Sequence, residues 1–189
     1  MFEPLLQHIS RFVQLTDAEK DLVMQHFTYK RLSKKDFVLS EGDVCAESYF
    51  VLQGLLRMYF IKDKGQNQLI QFALENWWIT DQTSLDMQKP SIFFIDAVED
   101  TEVAVLSKKS MEELLAAMPQ MERYFRLIMQ RYVAAVQMRL TYFLDQSAEE
   151  RYRFFSKLFP GFVQRIPQYM LASYLNITPE VLSKIRAKK

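Results

Sequence analysis

The stretch Gln168-Tyr-Met-Leu-Ala-Ser-Tyr-Leu-Asn-Ile-Thr-Pro-Glu-Val-Leu-Ser-Lys-Ile-Arg186 decides how the rest of the chain is read. Leu171, Ala172 and Leu175 are spaced for one face of a short helix, and Leu182 and Ile185 for one face of a second. Ile177 falls between them and can plug the angle. Ala172 is small where two crossing helices would touch. Asn176 stands at the turn, where a left-handed backbone is needed and Asn is the most tolerant residue after Gly. Thr178 can cap the second helix, and Pro179 takes its first position, where a missing N–H costs nothing. These choices agree on a helix-turn-helix.

The second helix turns a polar and basic side outward. Gln168 opens the motif, and Thr178, Glu180, Ser183, Lys184 and Arg186 can project to solvent, with Lys188 and Lys189 just beyond. Lys184 can reach guanine O6 and N7, and Glu180 can accept from cytosine N4. Thr178 and the N–H groups of the helix start can meet a phosphate, as can Arg186 and Lys188. Charge agrees. Residues 147–189 hold eight Lys/Arg against three Asp/Glu, a net +5, so the chain's total of +1 leaves −4 for the remainder. A basic end on an acidic body suits a polyanion, and double-stranded DNA is the expected partner.

Moving toward the N-terminus, Ser147-Ala148-Glu149-Glu150 is a capping box opening a helix that Pro160-Gly161 stops. Before it, residues 119–145 read as one long helix with two apolar seams. One seam is Met121, Phe125, Ile128, Tyr132 and Ala135; the other is Met129, Val133, Val136, Leu140 and Phe143. A helix apolar on two faces must be covered twice. The first seam is expected to meet its copy in a partner chain, giving a homodimer. Ser110 is expected to cap a short helix over 111–118.

From Tyr29 to Leu106 the period shortens. Runs 37–39, 49–52, 55–61, 68–74, 92–98 and 101–106 are β-rich and separated by Glu41-Gly42-Asp43, Gln53-Gly54, Lys62-Asp63-Lys64-Gly65 and Glu99-Asp100. Short strands at close spacing predict a sandwich or barrel-like domain, and Lys64-Gly65 reads as a hairpin tip. Two short helices precede it, the second capped by Thr16 with Glu19 three residues on. The fold class is α+β. The expected divisions are 1–118 for the β domain with its N-terminal helices, 119–145 for the dimerisation helix and 146–189 for the helix-turn-helix.

Composition removes several classes of function. Four glycines leave no Gly-rich phosphate loop. One cysteine, Cys45, cannot make an internal disulfide or supply the thiolates of a zinc or iron–sulfur site. His8 and His26 are the only histidines, and packed or surface roles are expected of both rather than metal or haem ligation. No nucleophile–base arrangement is spaced for catalysis, so an enzyme, a catalytic site and a metal are not expected. No basic, apolar leader and no run of 18 apolar residues occur, which points to the cytoplasm and away from the membrane.

Two stretches carry a resemblance to a known family. Glu41-Gly42-Asp43 followed by Tyr49-Phe-Val-Leu-Gln-Gly-Leu-Leu-Arg-Met-Tyr59 resembles the β-roll core of the CRP/FNR superfamily of bacterial regulators. Ile166-Pro-Gln-Tyr-Met-Leu-Ala-Ser-Tyr-Leu-Asn-Ile-Thr-Pro-Glu-Val-Leu-Ser-Lys184 resembles its recognition motif. The order β-roll, long helix, helix-turn-helix also agrees. The resemblance implies a jelly-roll-like antiparallel sensor domain, a homodimer, sequence-specific DNA binding and contact with RNA polymerase. The family usually has Arg where Lys184 stands, and Lys keeps the charge but loses the bidentate fork. A β-hairpin wing often follows the motif; here the sequence stops at Lys189, so a missing or minimal wing is expected.

Members that bind cyclic AMP use a Gly-Glu pair at a helix start and an Arg on the cyclic phosphate. Residues 75–94 contain no Gly-Glu, and the Arg position falls at about Ser91. From Glu75 to Asp100 six acids face one base, Lys89. A phosphate buried there would lack a cationic partner. Cyclic AMP is therefore not expected as the signal, and no cofactor is expected. Phe72, Trp78, Ser91 and Phe93 are the candidates to line a pocket for a small, mostly apolar effector; the same aromatics would equally make a β-domain core. The rival to the DNA reading is a β-roll protein-interaction module, which leaves the basic side of 178–189 without a purpose.

Overall fold

The computed structural model of the protein describes residues 1–63 and 65–188. Lys64, expected at a hairpin tip, and Lys189, expected beyond the second helix of the motif, lie outside the described residues. The chain forms two compact units. One holds residues 1–60 and 70–128, the other residues 61–69 and the chain from Met129 onward.

Helices α1 (Glu3–Ser10) and α2 (Asp17–Gln25) open the first unit, and Thr16 caps α2 through the expected reciprocal bonds with Glu19. Among the described residues eight strands follow: β1 (Thr28–Leu32), β2 (Phe37–Leu39), β3 (Glu47–Gln53), β4 (Leu56–Ile61), β5 (Asn67–Ala73), β6 (Trp78–Ile79), β7 (Phe94–Ala97) and β8 (Thr101–Ser107), with helix α3 (Gln82–Met87) between β6 and β7. They form two four-stranded sheets, ordered β1-β8-β3-β6 and β2-β7-β4-β5. Helices α4 (Lys108–Ala117) and α5 (Gln120–Asp145) come next. This is the α+β architecture expected: an antiparallel β-roll with flanking helices, a long helix and a C-terminal helix-turn-helix.

Two cores lie on opposite sides of the first sheet, and strand alternation explains both. Tyr49 and Val51 of β3, with Val103 and Val105 of β8, face Leu56, Met58, Ile95 and Ala97 of the other sheet inside the roll. Phe50 and Leu52, with Ala104 and Leu106, point the other way onto Leu5, Ile9, Val23, Leu114, Met121 and Tyr124. Strands buried on both faces read as continuous apolar runs, which is how β3 looks in the sequence.

Turn chemistry closes the roll. Gly54 has φ +98°, and a Cβ there would lie 2.6 Å from Thr101 Oγ1 and 2.7 Å from the Asp100 carbonyl oxygen, so only glycine fits. Arg57 and Asp96 sit opposite each other on β4 and β7 and form a two-point ion pair at 2.6 and 2.7 Å, almost wholly buried.

Several expectations shift. Strands β1 and β6 and helix α3 lie where no element was expected. Strand β1 is polar over most of its length and forms because it pairs with β8 from Thr28 to Leu32. Ser107, not Ser110, caps α4: β8 runs straight into the helix, so the extended residue is Ser107, whose Oγ accepts from the Ser110 N–H. Met121 is fully buried, and Phe125 and Ile128 pack on the same core. The leading end of the seam expected to meet a partner is thus covered by the chain's own α1, α2 and α4. Trp78 also lies in this outer core, its ring 5.4 Å from Phe50 and 5.8 Å from Phe125, and not inside the roll.

Candidate nucleic-acid interface

The second unit holds α6 (Ala148–Leu158), α7 (Pro160–Arg165), α8 (Gln168–Tyr174) and α9 (Pro179–Ala187). Ser147 caps α6 through the expected box with Glu150. Helices α8 and α9 are the helix-turn-helix. Leu171, Ala172, Leu175 and Leu182 are buried, as are Phe162, Ile166 and Met170. Asn176 adopts φ +52°, as the turn requires. The Ile177 N–H returns to the Ala172 carbonyl at 3.0 Å and the Asn176 N–H to the Ser173 carbonyl at 3.1 Å, closing the end of α8. Thr178 Oγ1 accepts from the Val181 N–H, and Pro179 begins α9.

With Leu182 buried, the helical period throws Glu180, Ser183 and Lys184 to the other side, where all three are exposed. Gln168, Pro179, Arg186 and Lys188 are exposed as well. Glu180 has its pKa lowered by bonds from the Thr178 hydroxyl and its own backbone N–H, so it remains an acceptor at neutral pH. Lys188 is not idle: its Nζ lies 3.2 Å from Glu149, which also takes Arg153 at 2.6 Å. Exposed pairs of this kind are worth little. The exposed polar residues of α9 thus include a carboxylate, Glu180, and an ammonium, Lys184, with the cations Arg186 and Lys188 nearby in sequence.

Residues that sequence reading passed over hold this motif in place. Arg139 of α5 donates from Nη2 to the Tyr174 carbonyl at 3.1 Å and lies 4.0 Å from the centre of the Tyr174 ring. Burial lowers its pKa from the usual arginine value, partly offset by Tyr174 and Tyr132. Gln68 and the backbone of Leu69 bond to Ser173. Neither set has a local signal, because the partners are 35 and about 105 residues apart in sequence.

Of the candidate effector residues, Ser91 and Phe93 lie together, the Phe93 N–H donating to Ser91 Oγ at 2.9 Å, while Trp78 lies in the other core. Ser91 is buried and donates to Asp81 Oδ2 at 2.7 Å, while Asp81 Oδ1 caps α3 by accepting from the N–H groups of Thr83 and Ser84 at 3.0 and 3.1 Å. Leu85 of the same helix fills the roll interior, and Phe93 packs against that interior. Phe72 is buried but belongs to neither large cluster, and Trp78 is in the outer core. Lys89 is exposed. Cys45 is buried, with Sγ 3.3 Å from Thr80 Oγ1, and His8 Nδ1 lies 2.9 Å from the Tyr124 hydroxyl in an aromatic cluster.

On α5, Met129, Tyr132, Val133, Val136, Leu140 and Leu144 are exposed by 40% or more, and Ala135 is exposed beside them. Among the described residues no helix is long and apolar enough to cross a membrane.

Comparison with known proteins shows what these features are similar to. The family description "Cyclic nucleotide-binding domain" matches residues 29–118. The transcriptional activator protein FnrA of Stutzerimonas stutzeri is 24% identical over 188 residues, covering 94% of this chain and 75% of its own. The transcriptional activator protein Anr of Pseudomonas protegens is 24% identical over 148 residues, 78% of this chain and 59% of its own. This chain therefore spans from under two thirds to three quarters of the length of these relatives. The structure of FixK2 from Bradyrhizobium japonicum shares the fold, with a TM-score of 0.74 at 18% identity over 86% of this chain and 83% of that one. The β-roll, the long helix and the helix-turn-helix follow in the order that the resemblance to the CRP/FNR superfamily implies, and the matched domain and these relatives agree with that resemblance.

Proposed function

We propose that this chain is a homodimeric, sequence-specific DNA-binding transcription regulator whose β-roll does not take cyclic AMP as its signal. The observation that carries the proposal is the outer face of α9, where Glu180, Ser183 and Lys184 are exposed on a helix capped by Thr178 and anchored by Leu182. These side chains suit base edges in a major groove, and Gln168, Thr178, Arg186 and Lys188 suit the flanking phosphates. The apolar face of α5 beyond Ile128 supports a dimer, because α5 is a helix of 26 residues whose second part lacks the cover its first part has. RNA polymerase in the cytoplasm is the further partner this reading carries.

The exclusion of cyclic AMP is supported at α3. A buried carboxylate, Asp81, already accepts the N–H groups of this helix start, and the residue in the arginine position, Ser91, donates to that carboxylate. An incoming phosphate would meet a like charge in place of a cation. Calorimetry with cyclic AMP is expected to show no binding; a Kd below about 10 μM, roughly −7 kcal/mol, would overturn this part.

Selection of the purified protein against random duplex DNA tests the main reading. The expected result is a pseudo-palindrome with half-sites roughly 34 Å apart. Lys184→Ala should cost about 1–3 kcal/mol and relax one base position, while Lys188→Ala should lower the salt slope by about one. Failure to enrich any motif at moderate salt would sink the DNA reading and leave the protein-interaction module standing.

A further inference from the structure

Strand β5 begins at Asn67 and is an edge strand of its sheet, so the side turned from β4 carries backbone groups with no strand beside them. An extended strand presents the carbonyl of residue i and the N–H of residue i+2 on the same edge, where a neighbouring strand would pair with both. At Asn67 and Leu69 that partner is a side chain. Ser173 Oγ of α8 donates to the Asn67 carbonyl at 2.8 Å and accepts from the Leu69 N–H at 3.0 Å. The Gln68 amide adds a third bond, from Nε2 to the Ser173 carbonyl at 2.7 Å. Residues 61–69 group with the helix-turn-helix in one compact unit, while both arms of the same hairpin continue into the other unit.

The Ser173 carbonyl also accepts from the N–H of Asn176, the left-handed residue that sets the angle between α8 and α9. The hairpin therefore bonds to the very carbonyl that closes the turn. It does so at the C-terminal end of α8, on a residue separate from the exposed Glu180, Ser183 and Lys184.

We infer that Ser173 is a positioning residue for DNA reading: its hydroxyl, with Gln68, clasps the β4–β5 hairpin to the turn of the helix-turn-helix and fixes the orientation in which α9 is presented. The inference rests on the proposed DNA binding and names the contact that makes two half-sites readable at one spacing. A flexibly held motif still binds one half-site; only an oriented one discriminates between operators whose half-sites differ in separation.

The test uses the full chain, the operator recovered by selection, a duplex with a single half-site, and operators with one base pair inserted or removed between half-sites. Ser173→Ala is expected to lose about tenfold in affinity for the full operator, the factor that 1.4 kcal/mol represents. It should change little on the single half-site and flatten the spacing preference, and Ser173→Thr should restore both. Gln68→Ala, at an edge strand rather than in a helix, should act in the same direction and serves if Ser173→Ala fails to fold. Unchanged affinity and spacing preference in Ser173→Ala and Gln68→Ala would overturn the inference. Equal losses on both DNAs would overturn it too, since that is the mark of a damaged motif. If the unaltered chain enriches no motif at all, the DNA reading falls first and takes the clasp with it.

Discussion

The two parts of α5 carry apolar side chains at the same steps of three and four and meet opposite environments. Between 120 and 128, Met121 and Tyr124 are fully buried and Phe125 and Ile128 are half-covered by the N-terminal helices and α4. Between 129 and 145, Val133 and Val136 are each 46% exposed, Leu140 58% and Leu144 81%. The periodicity reports that a helix has an apolar face. It does not report what covers that face, because the cover comes from residues such as Leu5 and Ile9, more than a hundred positions away. The sequence pattern is continuous across Ile128 while the physical environment changes there.

Substitutions on either side of that point should therefore act on different equilibria. Met121→Ala leaves a cavity in a filled core and should lower unfolding free energy by about 2–5 kcal/mol in denaturant titration, with self-association of the folded fraction unchanged. A loss under about 1 kcal/mol would show that the first part is less tightly covered than described. Val136→Glu should do the reverse. Protomer stability should stay within about 0.5 kcal/mol, while sedimentation should show self-association weakened at least about 30-fold, near 2 kcal/mol. If the variant unfolds instead, the second part is internal packing, and the contrast between the two parts disappears. Tyr124→Phe is the mildest probe. It removes the oxygen that accepts from Trp78 Nε1 at 2.9 Å and meets His8 Nδ1 at 2.9 Å. It should cost about 1–2 kcal/mol through the polar groups left behind, measured by urea unfolding.

The helix-turn-helix was legible because its determinants are local. Thr178, Pro179, Asn176 and Ala172 each act within a few residues of themselves, and each does in the structure what its chemistry prescribes. The β-roll strands were legible where alternation or continuous burial marks them, and obscure at β1, which owes its existence to β8. The acidic character of residues 75–100 was visible, but the answer to it was not. Asp96 is neutralised by Arg57, 39 positions away, and Asp81 by a helix start and Ser91. Aromatic type did not reveal that Trp78 and Phe93 lie in different cores: Trp78 points onto Phe50 on the outer side of its sheet, while its neighbour Ile79 lies with Phe93 on the roll interior. Ser173 and Gln68 carried no signal at all, since a serine that substitutes for a strand neighbour has no local pattern.

Gly54 shows how unevenly the molecule tolerates change. At Gly42 and Gly65 the backbone is also left-handed, with φ +91° and +74°, but a Cβ would meet nothing within 4 Å. At those two sites a side chain faces only the conformational cost of a positive φ, which Asn or Asp bears most easily. Gly54 adds a second, independent barrier, because two of the three nearest atoms are backbone and cannot rotate away. Relief would require the Asp100–Thr101 segment to retreat, and with it the Thr101 hydroxyl that accepts from the Leu55 N–H at 3.1 Å. A saturation library should therefore recover non-glycine residues at position 65 most often, at 42 less often and at 54 not at all. Drift in a population of such chains would be able to reshape the hairpin tips of the roll while this one corner stays locked.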